Sequence, residues 1–346
     1  MATRIALLGL GVVGQGLLEI LKDKGDALRN GIGFDAKIVA ISDVMKGSIY
    51  NPDGLDISEV LRVVKETGKL DGYPESPSLI RGWDSFQTIR ESNADTIIEI
   101  TFTDVNTGQP AIDHCKTAFE CGKNVVMSNK GPVALAFHEL SELAAKNGVR
   151  WGFEGSVMSG TPAIRMPLTS LAGNEIREIR GILNGTTNFI LSQMEEGLSY
   201  EEALSQAQAL GYAEADPTSD VDGFDASYKI VILANVIMNA PLARGDVARE
   251  GIRNVTLEQI QQAKRDGKRW KLIAKAKMVG NQVEAKVGLE AIPMTDALAG
   301  VSGAMNAVTF DCDLAGPITL IGAGAGRTET GFSILIDLLN MSRGQL

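Results

Sequence analysis

The chain has 346 residues, 44% apolar and 22% charged, with a formal net charge of −10. That length predicts two domains, and the composition is that of an ordinary soluble globular protein. The acidic balance and the lack of any basic run exclude nucleic acid and anionic membrane surfaces as partners, and no apolar run reaches the roughly 18 residues of a membrane span.

The start, MATRIALLGLGVVGQG, has neither a basic region ahead of its apolar run nor a small-residue cleavage site, so it is not read as a signal peptide. Cys115, Cys121 and Cys312 lack metal-type spacing and fit a reduced, cytoplasmic protein. His114 and His138 are the only two histidines. Proton chemistry is therefore expected to fall to Lys, Asp, Glu or Tyr.

RIALLGL (4–10) is a short apolar run ending in glycine, the pattern of a buried parallel strand. A helix is predicted over 12–30, then a strand, KIVAISD (37–43), that ends in an acid. Residues 44–84, rich in Gly, Pro, Asp and Ser around a helical ISEVLRVVKETG, read as an insertion. DTIIEIT (95–101), KNVVMS (123–128) and RWGFEGSV (150–157) continue as strands, with helices near 108–121 and 133–147. Such alternation predicts a parallel sheet covered by helices on both faces.

After about residue 155 the pattern changes. EIREIRGIL (175–183) and the pair 269–280 and 281–292 read as strands of an antiparallel sheet, with helices near 199–210, 225–239 and 256–266. The tail 317–339 returns to strand, Gly-rich turn and helix. The expected fold is α/β: a Rossmann-type parallel-sheet nucleotide-binding domain over 1–155, completed by 317–346, plus an α+β substrate-binding and dimerisation domain over 156–316.

GLGVVGQG places Gly9, Gly11, Gly14 and Gly16 after the first strand and at the start of a helix. The first glycine permits the tight turn, the second lets backbone approach a pyrophosphate, and the third allows helix to pack on strand. The free N–H groups at the helix start attract the anion. Val12 and Val13 lie within this loop. Asp43, ending the second strand, either accepts hydrogen bonds from an adenosine ribose, favouring NAD over NADP, or only closes the turn. Lys46 nearby could tolerate a phosphate.

GYAEADPTSDVDGFDASYK (211–229) packs Glu214, Asp216, Asp220, Asp222 and Asp225 into twelve positions ahead of Lys229. A solvated acidic loop would run on into polar sequence, but the helix that follows is among the most apolar stretches of the chain. Some of these acids suit a helix N-terminus. Asp225 and Lys229, four apart, share a helical face and form either an exposed ion pair or a catalytic pair. The spacing is not that of a calcium loop.

AQALGYAEADPTSDVDGFDASYK (207–229) resembles the signature of the homoserine dehydrogenases. Ala207, Gly211, Asp216, Pro217, Asp220, Gly223, Asp225 and Lys229 meet its fixed positions. The resemblance extends over nearly the whole chain. SNKGPVAL is similar to the family's Asn-Lys-x-Pro turn, GFEGSVMSGTP to its glutamate-led loop, GILNGTTNFIL to its Gly-Thr substrate loop, and IGAGAGRTETGFSILIDLL to its C-terminal segment. The region 44–84 is the part where shorter members differ. A short form without the regulatory ACT domain is expected.

The resemblance implies interconversion of L-homoserine and L-aspartate 4-semialdehyde with NAD or NADP, on the route to threonine, methionine and isoleucine, by a homodimer. It implies that Lys229 and Asp225 are the catalytic pair and that Lys130 lies beside nicotinamide and substrate. Glu214 would hold the substrate amine, with Gly185, Thr186, Tyr212 and Asp220 on the substrate side, and Thr101 and Gly326 at the cofactor. It further implies a monovalent cation, Na+ or K+, on the backbone carbonyls of Glu154, Val157, Ser159 and Thr161. Ser159 and Thr161 depart from the family's usual residues, which carbonyl ligation tolerates.

With no usable histidine, a lysine must move the alcohol proton or supply positive charge. A second cation and partial desolvation pull a lysine toward neutrality, while Asp225 opposes that shift. Lys229 is expected to carry the proton and Lys130 to act electrostatically. Glu214 is expected to supply the anion for the substrate ammonium, since burying it empty would be costly, which supports a ligand over a structural role. Two rivals share the glycine loop: a dehydrogenase of another amino acid or a sugar, which would lack the 207–229 pattern, and a non-catalytic NAD sensor, against which the paired lysines argue.

Overall fold

The computed structural model describes residues 2–104 and 106–346. They form two compact units, one running to Ser156 and rejoined by Gly326–Leu346, the other spanning Val157–Ala325.

In the first unit, β1 (Thr3–Leu8) leads into α1 (Val12–Ile32), then β2 (Ala36–Asp43) and β3 (Gly47–Tyr50). Next come α2 (Ile57–Thr67), β4 (Ile80–Arg81), α3 (Ser85–Glu91) and β5 (Thr96–Glu99). α4 (Ala111–Glu120), β6 (Asn124–Met127), α5 (Lys130–Lys146) and β7 (Trp151–Gly152) follow. The sheet order is β4-β3-β2-β1-β5-β6-β7. β1 is parallel to β2 and β5, and β6 and β7 extend that parallel run. Ile5 to Leu8 are wholly buried, as the continuous apolar run of a strand covered on both faces requires.

Residues 44–84 are more than an insertion, because β3 and β4 add two antiparallel strands at the β2 edge. The region is pinned by stacking of Tyr50 on Trp83 at 4.6 Å. α2 starts where the Asp56 side chain accepts from the N–H groups of Ser58 and Glu59. It stops at Gly68, in the left-handed conformation at φ 74°.

The second unit contains α6 (Arg165–Thr169), β8 (Ile176–Ile182), α7 (Gly185–Glu195), α8 (Tyr200–Ala209), α9 (Thr218–Val221) and α10 (Phe224–Ile237). It continues through β9 (Ala248–Arg249), α11 (Leu257–Arg265), β10 (Lys268–Val279), β11 (Gln282–Pro293), β12 (Met305–Cys312) and β13 (Gly316–Ala323). Its sheet order is β13-β12-β8-β10-β11-β9. Capping boxes at Ser199/Glu202 and Thr256/Gln259 start α8 and α11. Ile182, Ile273, Ile292, Leu298 and Val301 lie in its core.

The chain re-enters the first unit at Gly326, not at 317, because β13 is hydrogen-bonded antiparallel to β12 along its whole length. Only α12 (Arg327–Ser342) completes the first unit. Its Ile334, Leu335 and Leu338 join Leu17 and Leu18 of α1 in one core. A Cβ on Gly16 would lie 2.3 Å from the Arg327 carbonyl oxygen, so glycine is what lets α1 meet α12 this closely.

Candidate active site

The first unit presents the glycine loop. Gly9 has φ 99°, and a Cβ there would lie 2.6 Å from the Ile100 carbonyl oxygen, so both conformation and space demand glycine. A Cβ on Gly11 would meet nothing within 4 Å, which leaves that approach open. α1 has neither a side-chain cap nor an acid in its first turn. Its leading N–H groups and dipole therefore suit an anion, and the loop fits a dinucleotide pyrophosphate.

Asp43 is bound into the protein. Oδ2 accepts from the N–H of Leu10 at 2.7 Å, and Oδ1 accepts from those of Met45 and Lys46, each at 2.9 Å. The carboxylate thus closes its turn and holds the glycine loop, the second of the two expected roles, and its oxygens retain lone-pair capacity beyond these three bonds. Sequence reasoning missed three apolar side chains following β2 and β5 on either side of β1. They are Val44, Met45 and Phe102, exposed by 99%, 79% and 90%. Their signal was apolar residues in otherwise polar turns.

Thr101 follows β5, and a Cβ on Gly9 would lie 3.2 Å from its backbone nitrogen. Lys130 is the first residue of α5, directly after Asn129. At the far end of the unit, Gly326 (φ 148°) precedes α12, and Arg327 pairs with Glu19 on α1 at 2.7 Å.

The second unit resolves the acidic stretch residue by residue. Asp216 is exposed and accepts from the Thr218 N–H at 3.0 Å, in the turn that leads into the short α9. Those bonds to Thr218 hold its carboxyl below the usual range. Asp222 pairs with the Arg253 guanidinium. These two acids are structural. Asp220 and Asp225 are not accounted for in that way. They share one donor, Asn184 Nδ2, at 2.7 Å and 3.0 Å.

Burial, and then the neighbouring Asp225, push the Asp220 carboxyl up, with the Asn184 bond opposing them. Asn184 also caps α7, its Oδ1 accepting from the Thr187 N–H at 2.9 Å. It was legible only as a residue of the Gly-Thr loop, since its partners lie 36 and 41 positions away.

Lys229 is 7% exposed, which removes the reading of an exposed i,i+4 pair. Its Nζ donates to the Leu183 carbonyl at 2.6 Å and lies 2.8 Å from Asp225 Oδ2. Two of its three donors are therefore directed inward, to Leu183 and Asp225, and the third goes to neither. α10 carries Asp225 and Lys229 on one face because they are one turn apart.

Thr186 donates its hydroxyl to the Tyr212 carbonyl at 2.5 Å, joining the start of α7 to the turn before the acidic run. Tyr212 packs on Phe189 with ring centroids 5.1 Å apart. Gly185 opens α7, where a Cβ would lie 2.5 Å from the Ala304 carbonyl oxygen. Glu214 is exposed, so the expectation of a costly buried anion is corrected: its carboxylate is hydrated without a ligand. Farther up the chain, Glu154, Val157 and Ser159 are buried, and Met158 and Ser159 both adopt left-handed backbone, at φ 58° and 53°.

Residues 162–339 match the family profile described as homoserine dehydrogenase. Residues 2–111, the stretch from β1 through β5, also match that of Glutamate/Leucine/Phenylalanine/Valine dehydrogenase. The chain is 43% identical to an NAD(+)-dependent homoserine dehydrogenase of Pseudomonas canavaninivorans, over 98% of this chain and 96% of that protein. Among solved structures it resembles a putative homoserine dehydrogenase of Archaeoglobus fulgidus, with a TM-score of 0.87 and 38% identity over 98% of this chain and 99% of that one. It also resembles a hyperthermophilic archaeal homoserine dehydrogenase in complex with NADPH, with a TM-score of 0.83 and 28% identity over 99% and 98% of the two chains. With the 207–229 pattern folded into the Asn184–Asp225–Lys229 cluster, this chain belongs to the homoserine dehydrogenase family.

Proposed function

We propose that the protein is a nicotinamide-dependent oxidoreductase that interconverts L-homoserine and L-aspartate 4-semialdehyde, serving the biosynthesis of threonine, methionine and isoleucine. The observation that carries this reading is the buried Lys229–Asp225 pair, whose third lysine donor goes to neither Asp225 nor the Leu183 carbonyl. The glycine loop and Thr101 would hold a nicotinamide dinucleotide, which would supply the acceptor for the hydride of the alcohol carbon. In the direction of homoserine formation, the third Nζ proton of Lys229 passes to the carbonyl oxygen as hydride reaches the carbon; in the reverse direction the amine, with two N–H groups bound to Asp225 and the Leu183 carbonyl, takes the hydroxyl proton on its lone pair. Asp225 and the Leu183 carbonyl hold Nζ in place, so little reorganisation is needed at the moment of transfer.

Lys130 contributes positive charge, and Thr101 and the glycine loop seat the cofactor. Gly185, Thr186, Tyr212 and Asp220 form the substrate side. Glu214 takes the ammonium of the zwitterion, meeting it from solvent. NAD is favoured over NADP, a reading supported by the Asp43 carboxylate that ends β2 against the glycine loop and is followed by Val44 and Met45 instead of an arginine. A monovalent cation, Na+ or K+, suits the backbone carbonyls of Glu154, Val157, Ser159 and Thr161. The consecutive left-handed residues Met158 and Ser159 support a loop shaped for a ligand.

The enzyme is expected to be a homodimer, for which Ile321, exposed on β13, offers apolar surface. It is expected in the cytoplasm, consistent with three free cysteines. Homoserine-dependent reduction of NAD tests the reading. Turnover with another amino acid and none with homoserine would favour the first rival, and cofactor binding without any turnover the second.

A further inference from the structure

β5 ends on Glu99, a carboxylate with no exposure at all. Burying that charge is expensive unless its oxygens are satisfied. Oε1 accepts from the Thr101 hydroxyl and lies 3.2 Å from His114 Nδ1, while Oε2 accepts from Asn129 Nδ2 at 2.8 Å. The same Asn129 amide reaches the Thr101 carbonyl at 3.1 Å and the Thr103 hydroxyl. One buried carboxylate thus holds both Thr101, beside the glycine loop, and the residue directly preceding Lys130.

His114 completes this network from α4. It is 2% exposed, and its Nε2 lies 2.8 Å from the Ser85 hydroxyl at the start of α3. In the Nδ1–H tautomer, assigned from these partners, the imidazole donates to Glu99 and accepts from Ser85, so both ring nitrogens are satisfied. Packing explains an apolar residue at this position, as at Ile112, Ala118 and Phe119 of the same helix, but not an imidazole. The neighbouring Cys115 is inert, since burial first and the Glu99 charge second push its thiol well above its ordinary value.

We infer that His114 is a positioning residue for hydride transfer, acting through Glu99 to set where Thr101 and the Asn129–Lys130 step stand. This rests on the reading of Thr101 and Lys130 as cofactor-side residues. Without the imidazole, Glu99 Oε1 loses one of its donors and recruits Thr101 or Asn129 into a new geometry. A displacement of about 1 Å at a reacting centre can slow a reaction by about 10²-fold, so a smaller shift suffices for a lesser loss.

The experiment compares His114→Leu, His114→Asn and Ser85→Ala with the wild-type enzyme, using homoserine deuterated at the carbinol carbon. His114→Leu should lower kcat by about tenfold and raise the deuterium isotope effect, with KM for homoserine little changed. His114→Asn should recover most of the rate, because its amide can donate to Glu99 where Nδ1 did. Ser85→Ala, at the start of a surface helix, should act in the same direction by about twofold even if His114→Leu folds poorly. Wild-type kcat and isotope effect in His114→Leu, with only a lower melting temperature, would overturn the inference, as would an Asn variant no better than Leu. Lys130→Ala separates the two readings. A wild-type rate there removes the premise, whereas a large loss beside an unaffected His114→Leu defeats the present inference alone.

Discussion

Asp43 Oδ2 accepts a hydrogen bond from the Leu10 N–H at 2.7 Å, tying the end of β2 to the glycine loop. If Asp43 also receives a ribose hydroxyl, as proposed, substitution there should act twice, on the loop and on the cofactor. Asp43→Asn keeps an oxygen for the Met45 and Lys46 N–H groups but turns an amide toward Leu10. Affinity for NAD should fall about tenfold, the worth of one charge-assisted hydrogen bond, with a smaller change for NADP. Fluorescence titration of both cofactors checks this. An equal loss for the two would mean that Asp43 serves the loop alone.

Lys229→Ala should keep the fold and cofactor binding while lowering kcat by roughly 10²–10⁴, the range for a lost general acid–base. Lys229→Arg should fare almost as badly, because guanidinium keeps its charge but cannot release a proton at working pH. Steady-state kinetics with matched circular dichroism decide the matter. If arginine restores most of the rate, Lys229 supplies only charge and Lys130 becomes the proton carrier.

Asn184→Ala removes a donor that Asp220 and Asp225 share, and with it the cap of α7. The Asn184 bond favours the ionised form of Asp220, so its loss moves an already raised pKa further up. Asp220 then protonates at higher pH, and the acid limb of the kcat profile should shift upward. The stability that Asp220 contributes is present below its unfolded pKa and is lost as pH rises through the folded one. Loss of the cap should cost about 1 kcal/mol throughout. A stability loss with an unshifted kcat profile would confine Asn184 to capping.

Lys271 on β10 is fully buried and donates to the Val301 carbonyl at 2.7 Å and to Asn188 Oδ1 at 3.1 Å. Burial pushes its pKa down to about 8, against the pull of Glu195. The unfolded chain then binds more protons between that value and the ordinary lysine value of about 10.4, so this group makes stability rise with pH across the window. Below it the charge is buried at full cost. Lys271→Met should abolish that rise in urea unfolding measured from neutral to alkaline pH. An unchanged slope would assign the rise to other groups.

Gly16→Ala should destabilise the protein by about 1–3 kcal/mol, because the new methyl meets the Arg327 backbone oxygen and forces α12 away from α1. Denaturant melts measure it, and a neutral outcome would show that the two helices have slack.

The parallel strands, the glycine loop and the longer helices were legible because each is encoded by short-range patterning: period, caps and glycine spacing. β3 and β4 were not, since short edge strands in a Gly- and Pro-rich segment gain their definition from the sheet they join. The end of the second unit was misplaced for a similar reason. Gly316–Ala323 reads as the opening of a strand-turn-helix unit, but its hydrogen bonds go back to β12.

Taken alone, the sequence determined the residue types available for chemistry: no histidine apt for a triad, a lysine four residues after an aspartate, and a loop that admits a phosphate. Only the tertiary structure decided what each acid of 211–229 does. Asp216 and Asp222 find local or surface partners, while Asp220 and Asp225 meet Asn184 from 36 and 41 positions away. It likewise exposed Glu214, buried Lys229 and set His114 against Glu99. Burial and partner choice arise from contacts between segments distant in sequence, and no local pattern specifies the energy of bringing those charges together.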